Sequence, residues 1–241
     1  MSAQPLTVRS ATPPECRNCN SSVPVDEHFC PGCSRIQSLG RHGDYFSFLG
    51  LPRKLVLDAQ ELDRRFRDLS RKFHPDFYYN ATPAERLASL ERSSYLNDAY
   101  RALKQPVSRI EHLLTIEGLP AGKSDDPSTS SGQAAGKVPP GLLEEVFALN
   151  EELDDIRDLR QSGTDAATLA ARLATARQPI EAKRDEHERA LVEASEQWDR
   201  QADAPAEARR ATLESLRQLL LERNYITNLL GTIEREAAAH G

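Results

Sequence analysis

The stretch that most constrains this chain is Arg71-Lys72-Phe73-His74-Pro75-Asp76-Phe77, which ends one strong helical pattern and forces a turn before the next. From Asp58 to Phe73, the apolar residues Leu62, Phe66, Leu69 and Phe73 recur at i, i+4, i+7 and i+11, one face of a helical period. At about 100° per residue, Arg64, Arg67 and Arg71 fall on the opposite face. Asp58, with Glu61 three residues on, predicts a capping box at the helix start. Pro75 cannot donate a backbone hydrogen bond and disfavours helical backbone at His74, so the helix must end there. Thr82, Pro83 and Glu85 then predict a second helix over 83–104. The expected result is an antiparallel helical hairpin whose loop carries His-Pro-Asp.

Upstream lie two Cys-x-x-Cys pairs, Cys16 with Cys19 and Cys30 with Cys33. Each pair can form a turn that presents two thiolates, and Pro31 and Gly32 suit such a turn. The spacing predicts one structural Zn²⁺ held by all four sulfurs, with no coordination position left open. Two disulfides and a redox dithiol pair are the competing readings. Disulfides fit secreted small domains, and nothing in the chain suggests secretion. A redox Cys-x-x-Cys opens a helix in a strand–helix context, and no such context is evident.

Beyond the hairpin, 118–140 is rich in Gly, Ser, Pro and Asp without apolar periodicity, which predicts a flexible linker or long surface loop. Three helical segments follow, over 141–161, 164–201 (bent or broken at Pro179) and 205–238, and short connectors predict antiparallel neighbours. In the first of these, Leu142, Val146, Leu149, Leu153 and Ile156 form a core stripe. Leu143 and Phe147 lie about 100–140° away from it, and Glu151 continues their row. In the last segment Leu216, Leu220 and Leu230 read as core, while Tyr225 points away from Leu216. Surplus apolar residues of this kind suit either a wide buried face or a recognition patch.

Composition narrows the function. The 241 residues carry a net charge of -6, which argues against nucleic acid as the main partner. No apolar run approaches a membrane span, and no signal-peptide core is evident, so a soluble intracellular chain is expected. Residues 1–14 read as a loose tail, and 15–42 as the tetracysteine module. Neither a phosphate-binding glycine loop nor a nucleophile with a base is recognisable, so the chain is not expected to be an enzyme.

The ordered set of Tyr45-Phe46, the basic helix, His74-Pro75-Asp76 and Leu96-Asn97-Asp98-Ala99-Tyr100-Arg101-Ala102-Leu103 resembles a J-domain, covering 44–117. Asp44-Tyr45-Phe46-Ser47-Phe48-Leu49-Gly50-Leu51-Pro52 and the exit Pro106-Val107-Ser108-Arg109-Ile110-Glu111-His112-Leu113-Leu114 are similar to HscB-type co-chaperones. So is the run Gly141 to Asp154. The tetracysteine module resembles the eukaryotic and some bacterial members. Phe77 stands where many J-domains have Lys, and Glu144 where relatives often place an apolar residue.

The resemblance implies an all-α protein: a small zinc knuckle or ribbon, a J-domain hairpin, and a C-terminal antiparallel three-helix bundle over 141–238. It implies a co-chaperone of iron–sulfur cluster biogenesis that stimulates a DnaK/HscA-type ATPase through His74, Pro75, Asp76, Arg64, Arg67, Arg71 and Lys72. The bundle would bind an IscU-type scaffold through Leu143, Phe147, Glu151 and Tyr225. Bacterial cytoplasm is the expected compartment, or the mitochondrial matrix if the source is eukaryotic; neither nucleic acid nor membrane is an expected partner. A general J-protein that holds unfolded clients, a dithiol or zinc redox protein, and a zinc-ribbon nucleic-acid binder are the alternatives. The last would need a basic patch, and 16–42 supplies only Arg17, Arg35 and Arg41.

Overall fold

Where the sequence places strong helix formers between clear stop signals, helices form. A computed structural model describes residues 15–24, 26–39, 44–119 and 138–238. Among these, the helices are α1 (Tyr45–Phe48), α2 (Ala59–Phe73), α3 (Pro83–Lys104), α4 (Pro106–Ile116), α5 (Leu143–Gln161), α6 (Ala166–Arg200) and α7 (Ala206–Ala238). Two isolated bridges, Glu15 with Ser22 and Phe29 with Ile36, are the extended pairing among the described residues. The expected tail over 1–14, and most of the expected linker, lie outside them. The chain divides into two compact units, 1–109 and 110–241.

In the first unit α2 and α3 form the expected hairpin. Phe66 stacks on Tyr100 at 4.2 Å between ring centroids, and the Tyr100 hydroxyl donates to Asp63 at 2.7 Å. At the other end the Ser89 and Ser93 hydroxyls donate to the Phe73 carbonyl at 2.6 and 3.0 Å, so the two helices run antiparallel. Leu62 and Phe73 are buried, whereas Phe66 and Leu69 are half-buried. Thr82 and Glu85 make a reciprocal capping box at the start of α3. The box expected at Asp58 and Glu61 does not form. Asp58 accepts from the Gln60 N–H, but Glu61 turns to Arg64 and Arg65 at 2.6 and 2.7 Å. Two charge-assisted bonds outweigh one bond from a neutral amide. Arg109, buried at the start of α4, donates to the Leu103 and Leu55 carbonyls and so satisfies the end of α3.

In the second unit ion pairs fix the helix directions. Arg172 meets Glu152 and Lys183 meets Glu145, so α5 and α6 are antiparallel. Arg177 meets Glu234 and His187 meets Glu222, so α6 and α7 are antiparallel as well. Leu142, Val146, Leu149, Leu153 and Ile156 pack with Leu169, Leu173, Ile180, Ile226 and Ile233 in one apolar cluster, the stripe that the period predicts. Gly163 takes φ +83° after α5, a backbone that suits glycine and ends the helix. α6 is not broken at Pro179; it stays helical from Ala166 to Arg200. Pro179 faces solvent while its neighbour Ile180 is buried, so the burial on either side holds the helix together across it.

Candidate functional site

The four cysteines come from two turns of the same construction. The Cys16 N–H donates to the Ser21 carbonyl and the Asn20 N–H to the Cys16 carbonyl, each at 2.8 Å. The Cys30 N–H donates to the Arg35 carbonyl at 2.9 Å and the Ser34 N–H to the Cys30 carbonyl at 2.8 Å. Asn20 and Ser34, the residues after the second cysteine of each pair, both take left-handed backbone, with φ 59° and 57°. Space at Gly32 is tight: a Cβ there would lie 2.4 Å from the Ser21 hydroxyl oxygen and 3.1 Å from its Cβ, so the Ser21 side chain would have to move.

The turns bring the four sulfurs within 4.8 Å of one another, with Cys16 to Cys33 at 3.6 Å and Cys19 to Cys30 at 3.5 Å. A disulfide needs about 2.05 Å. A tetrahedral ion with bonds of about 2.3 Å to sulfur would set the edges near about 3.8 Å. The donor set therefore fits a metal ion. The Gly32 N–H donates to Cys30 Sγ at 3.3 Å and the Gln37 side-chain amide to Cys16 Sγ at 3.7 Å, bonds that favour thiolate. The backbone N–H groups of Asn18 and Cys19 bring the Cys16 thiol down to about 6, while burial pushes Cys30 up to about 11. Several thiolates side by side repel, and a bound cation removes that conflict. Neither pair opens a helix; both sit on turns.

This module lies against the hairpin within the first unit. The His28 ring meets the rings of Phe48 and Phe73 edge-on at 4.7 and 5.0 Å, and Phe29 stacks on Phe73 at 5.9 Å. Arg92 of α3, 1% exposed, reaches into the contact. It donates to the Gln37 and Ser38 carbonyls at 2.7 and 3.2 Å and to His28 Nδ1 at 2.5 Å. A guanidinium only donates, so His28 Nδ1 accepts and His28 Nε2–H donates to the Phe48 carbonyl at 2.9 Å. Burial pulls the Arg92 guanidinium down to about 10, which leaves it charged at neutral pH.

At the hairpin's end Pro75–Tyr78 forms a single 3-10 turn after His74, whose backbone is extended at ψ 126°. The Asp76 N–H donates to His74 Nδ1 at 3.3 Å, and the Tyr78 hydroxyl to the Lys72 carbonyl at 3.0 Å. These bonds fold the loop back on α2. The His74 and Asp76 side chains remain 53% and 88% exposed, open to a partner. Phe77 and Tyr79 beside them are exposed apolar rings. Arg64, Arg67, Arg71 and Lys72 all lie exposed on α2. Arg64 is taken up by Glu61, and Asp68 lies 3.6 Å from Arg64 and 3.9 Å from Arg71. Positive charge is thus concentrated toward the loop rather than spread along the helix.

On α5, Leu143 and Phe147 are 42% and 68% exposed, and Glu151 is exposed in the same row. Tyr225 differs from its expected place off the core: it is half-buried and packs on the α5–α6–α7 cluster. The core stripe of the early part of α7 does not extrapolate, because α5 joins the pair only along the later part and widens the buried face toward Tyr225.

No family model matches the sequence. The fold is like that of one solved co-chaperone, human HscB. The chain is similar to the crystal structure of human co-chaperone protein HscB, with 24% identity, 92% of this chain and 98% of that one covered, and a TM-score of 0.62. A second solved structure, the chaperone HscB from Vibrio cholerae, matches at 21% identity over 81% of this chain and 98% of its own, with a TM-score of 0.48.

Sequence reasoning missed Arg92 and His28. A signal was present: Arg92, Leu96, Ala99 and Leu103 recur at i, i+4, i+7 and i+11, and all four are buried. A charge on a core stripe calls for buried acceptors.

Proposed function

We propose that this chain is a J-type co-chaperone of iron–sulfur cluster assembly. The observation that carries the reading is the exposed His74-Pro75-Asp76 turn at the end of a basic helix, within the fold of human HscB. On this reading 44–117 is the J-domain and 141–238 the scaffold-binding bundle. Arg67, Arg71 and Lys72, with Arg64 behind them, meet an acidic surface of a DnaK/HscA-type ATPase. Such contacts set encounter and register more than they add affinity. Asp76 then reaches a charged network of the ATPase and favours the state that hydrolyses ATP, which it can do only by interacting differently with the two states. The chain performs no catalysis of its own. Leu143 and Phe147, with Glu151 at the rim and Tyr225 flanking, form the surface for an IscU-type scaffold. Cys16, Cys19, Cys30 and Cys33 hold one Zn²⁺, whose chemistry is structural because all four positions are filled by protein. The chain works where such scaffolds do, in bacterial cytoplasm or mitochondrial matrix.

The test is steady-state ATP hydrolysis by a DnaK-type chaperone, with and without this protein. His74→Gln or Asp76→Asn is expected to abolish the stimulation. Because both side chains are exposed, thermal unfolding should shift by no more than about 0.5 kcal/mol. Full stimulation by either variant would remove this function. Binding of the scaffold is tested separately by calorimetric titration into wild type and the Leu143→Ala, Phe147→Ala double variant, with a loss of about 2 kcal/mol or more expected for an interface anchor.

A further inference from the structure

We propose that Arg92 is a positioning residue that links the metal-bound state of the tetracysteine module to the order of the His74-Pro75-Asp76 loop. The inference rests on the J-type reading only for its functional consequence; the structural link stands apart from it.

The link is built from a short chain of contacts. Among the acceptors of Arg92 are the carbonyls of Gln37 and Ser38 and Nδ1 of His28, all in the segment shaped by the four cysteines. Gln37 itself is tied back to the cluster, its side chain donating to Cys16 Sγ and its N–H to the His28 carbonyl at 3.0 Å. On the hairpin side, the Arg92 guanidinium lies 5.7 Å from the centre of the Phe73 ring and 6.0 Å from that of Phe48. Phe73 is the residue before His74, and its carbonyl is held by Ser89 and Ser93, which flank Arg92 on α3. The same face of α3, from Ser89 to Ser93, therefore holds both the module and the base of the loop.

The energetics make this a coupled arrangement. A guanidinium with 1% exposure is tolerated because three acceptors meet it. If the metal leaves, the turns that aim those acceptors lose their constraint, since a site this small has little core of its own. Arg92 then loses these three acceptors, and its buried guanidinium is less well satisfied. Phe73 and Phe48 lose the rings of His28 and Phe29 that cover them. Both changes loosen the residue on which His74 is mounted.

The experiment follows backbone amides by NMR in the full chain, metal-loaded and after metal removal with a chelator. In the loaded wild type, residues 74–79 are expected in the rigid range, with order parameters near about 0.85, falling toward about 0.6 on metal removal. Amides of α5 to α7 serve as the internal control. Metal-loaded Arg92→Met, which keeps the apolar stem and removes the donors, is expected to show the loosened loop already and to respond no further to chelator. If Arg92→Met does not retain metal, Arg92→Lys takes its place, because one ammonium cannot meet three acceptors in the geometry of the fork. An unchanged loop in wild type after metal removal overturns the proposal, and so does a metal-loaded variant whose loop is as rigid as wild type. In parallel, ATPase stimulation should fall on metal removal and in the variant. Absence of any stimulation by loaded wild type would instead overturn the J-type function and leave the NMR result to decide the link.

Discussion

The tetracysteine module and the α5–α7 bundle reach order by different physics. Among its described residues the module buries Val23 and Ile36 and little else that is apolar besides its cysteines, a core too small to fold on hydrophobic burial. Its order is expected to depend on a cation held by the four clustered sulfurs and on docking against Arg92, Phe48 and Phe73. The bundle buries a cluster of ten apolar side chains from its three helices and the turn that leads into α5, with ion pairs at the rim and His187 against Glu222 further in. A local ligand can therefore govern one region and leave the other indifferent. Each region is expected to respond to its own perturbation, and the comparison can be broken in four ways.

The largest effect is expected from the metal. Structural zinc contributes about 10–16 kcal/mol to small modules of this kind. Chelation should therefore collapse the amide dispersion of 15–39 while the melting transition of the bundle stays in place. Simultaneous loss of both would show that the regions are not independent.

Next comes the bundle core. Ile156→Ala, at a position 0% exposed, is expected to cost about 2–5 kcal/mol in denaturant unfolding. Phe147→Ala, a larger truncation at 68% exposure, should stay within about 0.5 kcal/mol. Tyr225→Ala should fall between them, because its ring packs on the cluster. Equal costs for Phe147 and Ile156 would mean that the α5 surface is covered rather than available to a scaffold.

A smaller change is expected in the opposite direction. Pro179 is exposed in mid-helix, where proline costs up to about 3 kcal/mol. Pro179→Ala should raise the melting temperature of the bundle and leave the metal-dependent signals of the module untouched. A lower melting temperature would show that the proline shapes α6 in a way the bundle needs.

The smallest effect concerns Glu236, held below the usual carboxylate range chiefly by its hydrogen bonds from Arg157, with Arg160 adding to it. A depressed carboxylate contributes stability above its unfolded value of about 4.3 and loses it as pH falls through the folded value. Glu236→Gln should thus lower bundle stability by no more than about 1 kcal/mol at neutral pH, and the difference from wild type should vanish in acid. A difference that persists at pH values well below 4 would assign the effect to packing instead.

Much of the architecture was legible because it is set by short-range rules. Periodicity marked α2 and the core face of α5; Pro75 stopped α2; Thr82, Pro83 and Glu85 started α3; the cysteine spacing marked a cluster able to hold a metal ion. Each of these depends on residues within a few turns of one another, so the chain carries the instruction locally. The loop residues His74 and Asp76 were legible for the same reason. Three features were not. Glu61 leaves its cap for Arg64 and Arg65, a competition of nearly equal local options that the relaxed side chains decide. Tyr225 is covered because α5 arrives beside the later part of α7, which no single-helix wheel contains. Arg92 finds Gln37 and His28 at separations of 55 and 64 residues, and burial of its charge is stable only when that distant segment is already folded around the cysteines. Local sequence determined the helices and their candidate sites; long-range packing decided which buried and half-buried side chains join them, because desolvation depends on what the folded chain brings near.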